Sequence, residues 1–435
     1  MENTLYETKQ RKRTFVDFLF LLYIVVTTCY NTSATVRIGF VILMGFTFLQ
    51  LLRWPDEKKI IIPSYCFVLL NFVAYNYASQ MWAWYPSLVL GQVTSLAAGI
   101  IMCFIMVNYF MKTKSVGTIL NVIAVAGIAL SVYVVISYGG LSSFYERATT
   151  YSGSAEQARL GGEIDNQNTI GMTAAYSIIV LLYCAFYKKK RMCYLFSVIP
   201  FLVVAASGSR KALLIVIIGF IMLVYLKQNK EQGVVKVVKL LWWTIIIAVV
   251  MSVVLNLEIM SNVRERMDSL FNMFSDSGGK VDSSAMNRRR MIEVGFEQFK
   301  KTPLFGIGLG NAAALSLFRL GEFVYLHNDF IEMAVNSGIV GLVLYYSVML
   351  TLLNKHIKLM KKCEDSEIVV SFIILFIFLL MNVANVTYYG GITTYVYLTL
   401  WISTVEIFER RGQNEETIGE SVEQALPKGV NNISS

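Results

Sequence analysis

Uninterrupted apolar stretches, each roughly 17–23 residues long, recur along the whole chain, and no other feature limits its fold as severely. "SVGTILNVIAVAGIALSVYVVIS", from Ser115 to Ser137, is typical. Such a stretch is long enough to cross a bilayer as a helix. In hydrocarbon every backbone polar group must be satisfied internally, so repeated runs of this kind dictate helices. The 435 residues are 56% hydrophobic and only 15% charged, too few charges for the surface of a soluble multidomain protein of that length. The expected fold is therefore all-α and polytopic.

Twelve spans are expected, at about 15–30, 36–52, 60–78, 88–110, 117–138, 169–187, 192–206, 212–226, 240–257, 331–353, 368–386 and 391–407. The chain then divides into an N-terminal bundle (1–257), a large loop (258–330), three C-terminal spans (331–407) and a polar tail (408–435) expected to be disordered. Net charge is +9, but its distribution points away from nucleic acid. Alternate loops such as "KQRKR", "KKKR" and "NKHIKLMKK", with the tail, hold 24 of the 38 Lys and Arg, which predicts that they and both termini are cytoplasmic. The basic start leads into an apolar run that reads as a first anchor rather than a cleaved signal peptide. The six cysteines fall in spans or cytoplasmic loops, with no disulfide framework and no metal-binding spacing.

Two connections on the opposite, external side are long, at about 139–168 and 258–330, and long loops in compact folds are usually functional or disordered. The second contains two helix-like stretches, "SNVRERMDSLFNMF" and "SAMNRRRMIEVGFEQFKK", the latter with apolar Met291, Ile292, Val294, Phe296 and Phe299. The "TPLFGIGLGN" that follows breaks the helix. Its Gly306, Gly308 and Gly310 do not have nucleotide-loop spacing and read as a tight turn.

External arginines, among them Arg147, Arg159, Arg210, Arg288, Arg289 and Arg290, carry a fixed charge that forks onto phosphate oxygens, and they suit either lipid headgroups or a lipid-linked phosphate. In the triplet at 288–290, successive side chains point about 100° apart on a helix, so at least one can turn inward. "AASGSRKALL" sets Arg210 and Lys211 between two apolar runs, either as a hairpin whose charges reach the headgroups or as charges facing a cavity. His327, one of two histidines, is either a general base or the cap of the helix starting near Asn328 or Asp329. "DNQNTIG", from Asp165 to Gly171, has the form of a helix cap, and Asn166, Gln167 and Asn168 are also able to hydrogen-bond sugar hydroxyls. Glu163 and Asp165 have no partner at glycosidase spacing, no acidic cluster points to a metal, and His356 sits among cytoplasmic lysines.

In order along the chain, "DNQNTIG", "SGSRKALL", the basic helix, "PLFGIGLGN" and "HNDFIEMAVNSGIVGL" together resemble the signature of the O-antigen polymerase and ligase family. That family pairs a P-x-x-G-x-G turn with an H-N-x-x-x-E/Q…G-x-x-G helix start. The resemblance covers about 160–350. It implies an inverting glycosyl transfer, without metal or other cofactor, on the outer face of a bacterial inner (plasma) membrane. The donor is a glycan on undecaprenyl pyrophosphate, and the product belongs to a capsule, exopolysaccharide or O-antigen. Arg210 and one of Arg288, Arg289 and Arg290 hold the leaving pyrophosphate. His327 orients or deprotonates the acceptor hydroxyl, and Arg159, Asn166, Asn168 and Asn328 are expected to contact substrate. Membrane lipid, a flippase and a chain-length regulator are the expected partners. Polymerase and ligase share these motifs. A twelve-span transporter, with related halves and functional residues at the midplane, is the reading from a different class.

Overall fold

In a computed structural model of the chain, the described residues are 14–30, 32–53, 60–150, 160, 164–227, 256–261, 283–389 and 391–425, with isolated positions 238, 242, 245, 252 and 264. Among these residues there are helices and no strand. They are α1 (Phe15–Cys29), α2 (Ser33–Leu52), α3 (Ser64–Ala78), α4 (Pro86–Thr113), α5 (Val116–Ser137), α6 (Leu141–Thr150), α7 (Gln167–Phe186), α8 (Met192–Phe196), α9 (Val198–Ala206), α10 (Arg210–Lys227), α11 (Ser283–Lys301), α12 (Asn311–Leu320), α13 (Asp329–Lys362), α14 (Ser366–Met381) and α15 (Ile392–Ala425).

Five of them, α2, α4, α5, α7 and α13, are long and apolar enough to cross a membrane by length and composition. That is fewer than the twelve spans expected. Others that coincide with expected segments are shorter than the roughly 20 residues a perpendicular crossing needs, as are α1 and α14, or are divided, as α8 and α9 are at Ser197. The segment expected at 240–257 lies mostly outside the described residues.

Three further boundaries differ from the sequence expectation. The helix expected to end at 386 stops at Met381, where Asn382 is its cap and a polar connection, 382–391, begins. The last helix runs on to Ala425, through part of the tail expected to be disordered, because Glu, Gln and Ala there are good helix formers. The helix expected to end at 353 continues to Lys362 and carries His356 into the interior. His356 Nδ1 meets the Leu352 carbonyl at 2.8 Å and Nε2 meets Ser371 Oγ at 2.9 Å, so this ring is a satisfied core group rather than part of a basic loop.

α7 is the axis of the bundle. It packs against α5, α9 and α10, and its face is buried almost throughout. Small residues allow the approach. A Cβ at Gly127 on α5 would lie 2.3 Å from Ser177, and one at Gly219 on α10 would lie 2.6 Å from Ile179. Without a hydrophobic driving force between helices in lipid, such close packing supplies much of the association energy. Gly171, the last residue of "DNQNTIG", performs the same service at the top of α7. A Cβ there would meet Ser207 Oγ at 2.6 Å, so the glycine seats α7 against the turn that precedes Arg210.

Candidate functional site

α13 is broken four residues before the end of its sequence motif. Gly338 has φ 63° and ψ −165°, a region that is essentially glycine-only. A break inside an apolar helix exposes carbonyl and N–H groups that must find partners. The glycine turn after Pro303 supplies most of them. Ile307 and Gly308 donate to the carbonyls of Val335 (2.8 Å) and Asn336 (2.9 Å), while Ile339 and Val340 donate to those of Pro303 (2.8 Å) and Leu304 (3.3 Å). The Tyr75 hydroxyl closes the set on the Ser337 carbonyl at 2.7 Å. Gly306 fits only because a Cβ there would lie 2.6 Å from the Asn336 backbone. The two glycine motifs of the sequence are thus halves of one splice, and the turn reads as structural, as its spacing indicated.

That splice holds the start of α13 rigidly. Asn328 is the N-cap: its Oδ1 accepts from Ile331 N at 3.0 Å, and its Nδ2 donates to the Val383 carbonyl at 2.9 Å. The capping role offered to His327 therefore falls to Asn328. Asp329, fully buried, accepts from Thr387 N (2.6 Å), Tyr388 N (3.3 Å) and the Tyr346 hydroxyl (2.7 Å), fixing the 382–391 connection over the helix start. Glu332, one turn on and also fully buried, accepts from Leu326 N at 2.6 Å and from the Tyr389 hydroxyl at 2.5 Å.

His327 follows directly. Its φ is +57°, uncommon for a side chain with a Cβ, and Glu332 holds the backbone that precedes it. The Tyr325 ring lies against the imidazole with centroids 4.2 Å apart. His327 Nδ1 is buried and has no hydrogen-bond partner among the described residues. Burial, then the nearby positive charges of Arg288 and Lys211, push its pKa down from 6.5 to about 4, so the ring is neutral near pH 7.

Of the three adjacent arginines, the structure brings Arg288 to His327. α11 docks on the start of α13 through Met291, Val294 and Gly295, where a Cβ on the glycine would lie 2.5 Å from Ile331. Positions 288, 291 and 295 share that face, since residues three and four apart are neighbours on a helix. Arg289 is exposed and pairs with Glu293 at 3.0 Å, and Arg290 is exposed. Phe296, expected on the apolar face, is also exposed, and Gln298 is buried instead.

Arg210 is the first residue of α10, half-buried, after a turn in which Gly208 has φ +59°. Lys211 is buried, and its Nζ donates to the Ala384 carbonyl at 2.7 Å and meets Asn385 Oδ1 at 3.4 Å. The pair at 210–211 therefore faces the protein on the lysine side rather than forming a plain hairpin. Leu160 N donates to the Ala206 carbonyl at 3.0 Å, tying the first long loop to the same turn, while Arg159 and Glu163 lie outside the described residues. Asn166 caps α7 by accepting from Asn168 N at 2.9 Å. With Asp165, Tyr176, Tyr325, Asn385 and Thr387 it lines a cavity of about 310 Å³. The Tyr176 hydroxyl in that wall is buried without a partner among the described residues.

Cations, a neutral imidazole and amide-rich walls thus converge at one end of the bundle. Sequence reasoning missed two of its parts and left a third open. Tyr325 carried no pattern of its own, and Lys211 was readable as a charge facing a cavity but without its partners. The 382–391 connection was hidden by an apolar run that ends earlier than its hydropathy indicates, although Asn382, Asn385 and the pair Gly390 and Gly391 were turn signals. Asp329 and Glu332 stood inside the helix-start motif without an assigned task.

A family model described as O-antigen ligase matches residues 195–346, a stretch that holds Arg210, Lys211, Arg288, the spliced turn and the whole start of α13. No curated protein matches the chain.

Proposed function

We propose, for a membrane protein whose residues 195–346 are O-antigen ligase-like in sequence, that it polymerises oligosaccharide repeat units carried on undecaprenyl pyrophosphate. The reading is supported above all by one observation: a neutral histidine, its buried Nδ1 without a hydrogen-bond partner among the described residues, lies within the field of Arg288 and Lys211.

Arg210 and Arg288 hold the pyrophosphate of the donor. The acceptor hydroxyl oxygen bonds to the donor's anomeric carbon on the face opposite the pyrophosphate, and configuration inverts. The bond from that carbon to the pyrophosphate oxygen breaks, and its electron pair leaves with the pyrophosphate. His327 Nδ1 orients the hydroxyl and receives its proton. The leaving group already carries negative charge, so preorganised cations suffice to stabilise it without a metal. Arg288 couples the steps. Burial and the charges of Arg288 and Lys211 depress His327, and pyrophosphate bound at Arg288 offsets part of that charge, which raises the ring's proton affinity when the donor is in place. Asn166, Asn168 and the Asn385 wall contact sugar hydroxyls, with Arg159, Arg289 and Arg290 contributing positive field further out. Asn328 acts by capping α13. The reaction runs on the outer face of the inner membrane, where a flippase delivers the repeat units and a chain-length regulator ends growth.

The family description favours a second reading, transfer of finished glycan to another acceptor. The size distribution of lipid-linked glycan in cells lacking the protein separates the two. Single repeat units accumulating on the outer face, cleared by wild type and not by His327→Ala, mean polymerase. Long chains left on the carrier lipid overturn it in favour of ligase, and units trapped on the cytoplasmic face in favour of transport.

A further inference from the structure

A second cavity, of about 890 Å³, lies across the 389–392 segment from the first; Gly391 lines both. It is bounded by α1, α2, α4 and the start of α15, with Tyr23, Phe40, Ala98, Met102, Tyr389 and Tyr395 among its walls. Along α4 it runs from Thr94 to Met102, a depth of about 12 Å at helical rise. Its walls are mainly aromatic and aliphatic, with hydroxyls from Ser33, Thr94 and Ser95, and its charged lining residue is Arg37.

Arg37 sits in the second turn of α2, one turn from Ser33, and lines the cavity together with Gly391, the residue that it shares with the first cavity. It is exposed and has no hydrogen bond or ion pair among the described residues. Deeper in, Tyr395 is 5% exposed and its hydroxyl has no partner among the described residues. Its ring lies on α4 where Gly99 leaves room: a Cβ there would be 2.1 Å from it. Tyr389 joins this cavity to the site, since its hydroxyl is bound to Glu332, which in turn holds the backbone before His327.

A cation at the mouth, an apolar shaft and a polar group inside match an anionic headgroup on a long hydrocarbon chain. The proposed reaction joins two glycans that are both lipid-linked, and only the donor gives up its pyrophosphate at Arg210 and Arg288. From this arrangement we infer that the cavity seats the isoprenoid chain of the acceptor, whose retained pyrophosphate rests on Arg37 while its sugar reaches His327. This rests on the polymerase reading, because a ligase acceptor need not be an isoprenoid.

The test uses the full chain in phosphatidylcholine nanodiscs and a farnesyl pyrophosphate, whose three isoprene units match the depth of the cavity, carrying a diazirine on its terminal isoprene. Irradiation is expected to label peptides containing Ala98, Met102 and Tyr395. Arg37→Glu lowers that label roughly ten-fold, as expected for loss of a charge-assisted contact, and Arg37→Lys retains most of it. Ala98→Trp, or Ser95→Trp if the first variant is not recovered folded, blocks it, whereas His327→Ala does not. Label that is indifferent to Arg37→Glu and to the tryptophan variant overturns the seat. Equal labelling by a diazirine phosphatidylglycerol also overturns it, since the cavity would then take bulk lipid. Labelling requires no glycosidic chemistry, so its failure leaves the polymerase reading intact, and that reading stands or falls on chain length in cells.

Discussion

The two ends of the bundle use their charges differently. At the end away from His327, carboxylates meet cations: Glu409 with Lys355 at 2.5 Å, Asp365 with Arg411 at 3.6 Å, and Glu367 with Lys188 at 3.9 Å. At the site end the exposed Arg289 and Arg319 pair with Glu293 and Glu297, but the two buried carboxylates, Asp329 and Glu332, accept from backbone N–H and hydroxyl donors, and Lys211 donates to neutral amide oxygens. The first arrangement neutralises charge at a wet interface, where each pair is worth about 0–1 kcal/mol. The second uses carboxylates to shape the backbone, and the charges of Arg288 and Lys211 act on His327.

The comparison is broken most sharply at Arg288. Arg288→Ala should reduce glycan transfer at least ~100-fold, the scale for removing one preorganised charge contact to a leaving group, while Arg289→Ala and Arg290→Ala lose far less. Equal losses in all three, measured as polymer made per membrane-inserted protein, would mean that the helix acts as a diffuse basic surface.

Gly338→Ala attacks the scaffold instead. Its backbone region alone costs about 1–3 kcal/mol for another residue, and the added Cβ would lie 2.2 Å from the Leu304 carbonyl. Thermal unfolding in detergent should shift down strongly, with little folded protein recovered. Unchanged stability would contradict the splice.

Glu332→Gln keeps one carbonyl acceptor but leaves the Leu326 N–H or the Tyr389 hydroxyl poorly matched, at about 1–3 kcal/mol. The expected result is a roughly ten-fold lower turnover with intact membrane insertion. A normal rate would remove Glu332 from the positioning of His327.

Acid should act in a defined window. Because His327 binds its proton less readily in the folded chain than when unfolded, its contribution favours the fold fully above pH 6.5 and is progressively lost as pH falls toward about 4. His327→Gln should flatten that part of a stability–pH curve, and a curve identical to wild type would contradict the buried neutral ring. The smallest effect is expected at the far end. Lys355→Ala combined with Glu409→Ala should change stability by less than about 1 kcal/mol and leave transfer untouched.

Much of this was legible in the sequence. Long apolar runs prescribe helices whatever their tertiary context, so the helices under 86–113, 116–137 and 167–186 fall close to where the hydropathy places them. The turn after Pro303 was readable because three glycines leave few alternatives. What could not be read depends on long-range placement. The 100° geometry allowed one of Arg288, Arg289 and Arg290 to turn inward, but the choice of Arg288 needed Gly295 seated on Ile331. Lys211 gains its place from carbonyls more than 170 residues away, at 384–385. The connection at 382–391 escaped because Val383 and Val386 extend an apolar run past its real end, and the helix beyond Arg411 escaped because a polar segment with good helix formers looks like a tail.

The most direct measurement is made on purified protein given one lipid-linked repeat unit as both donor and acceptor. Wild type should release undecaprenyl pyrophosphate in step with a ladder of longer lipid-linked glycans. His327→Ala and Arg288→Ala should do neither while still folding. A ladder from either variant, or pyrophosphate release by wild type without chain growth, would contradict the account.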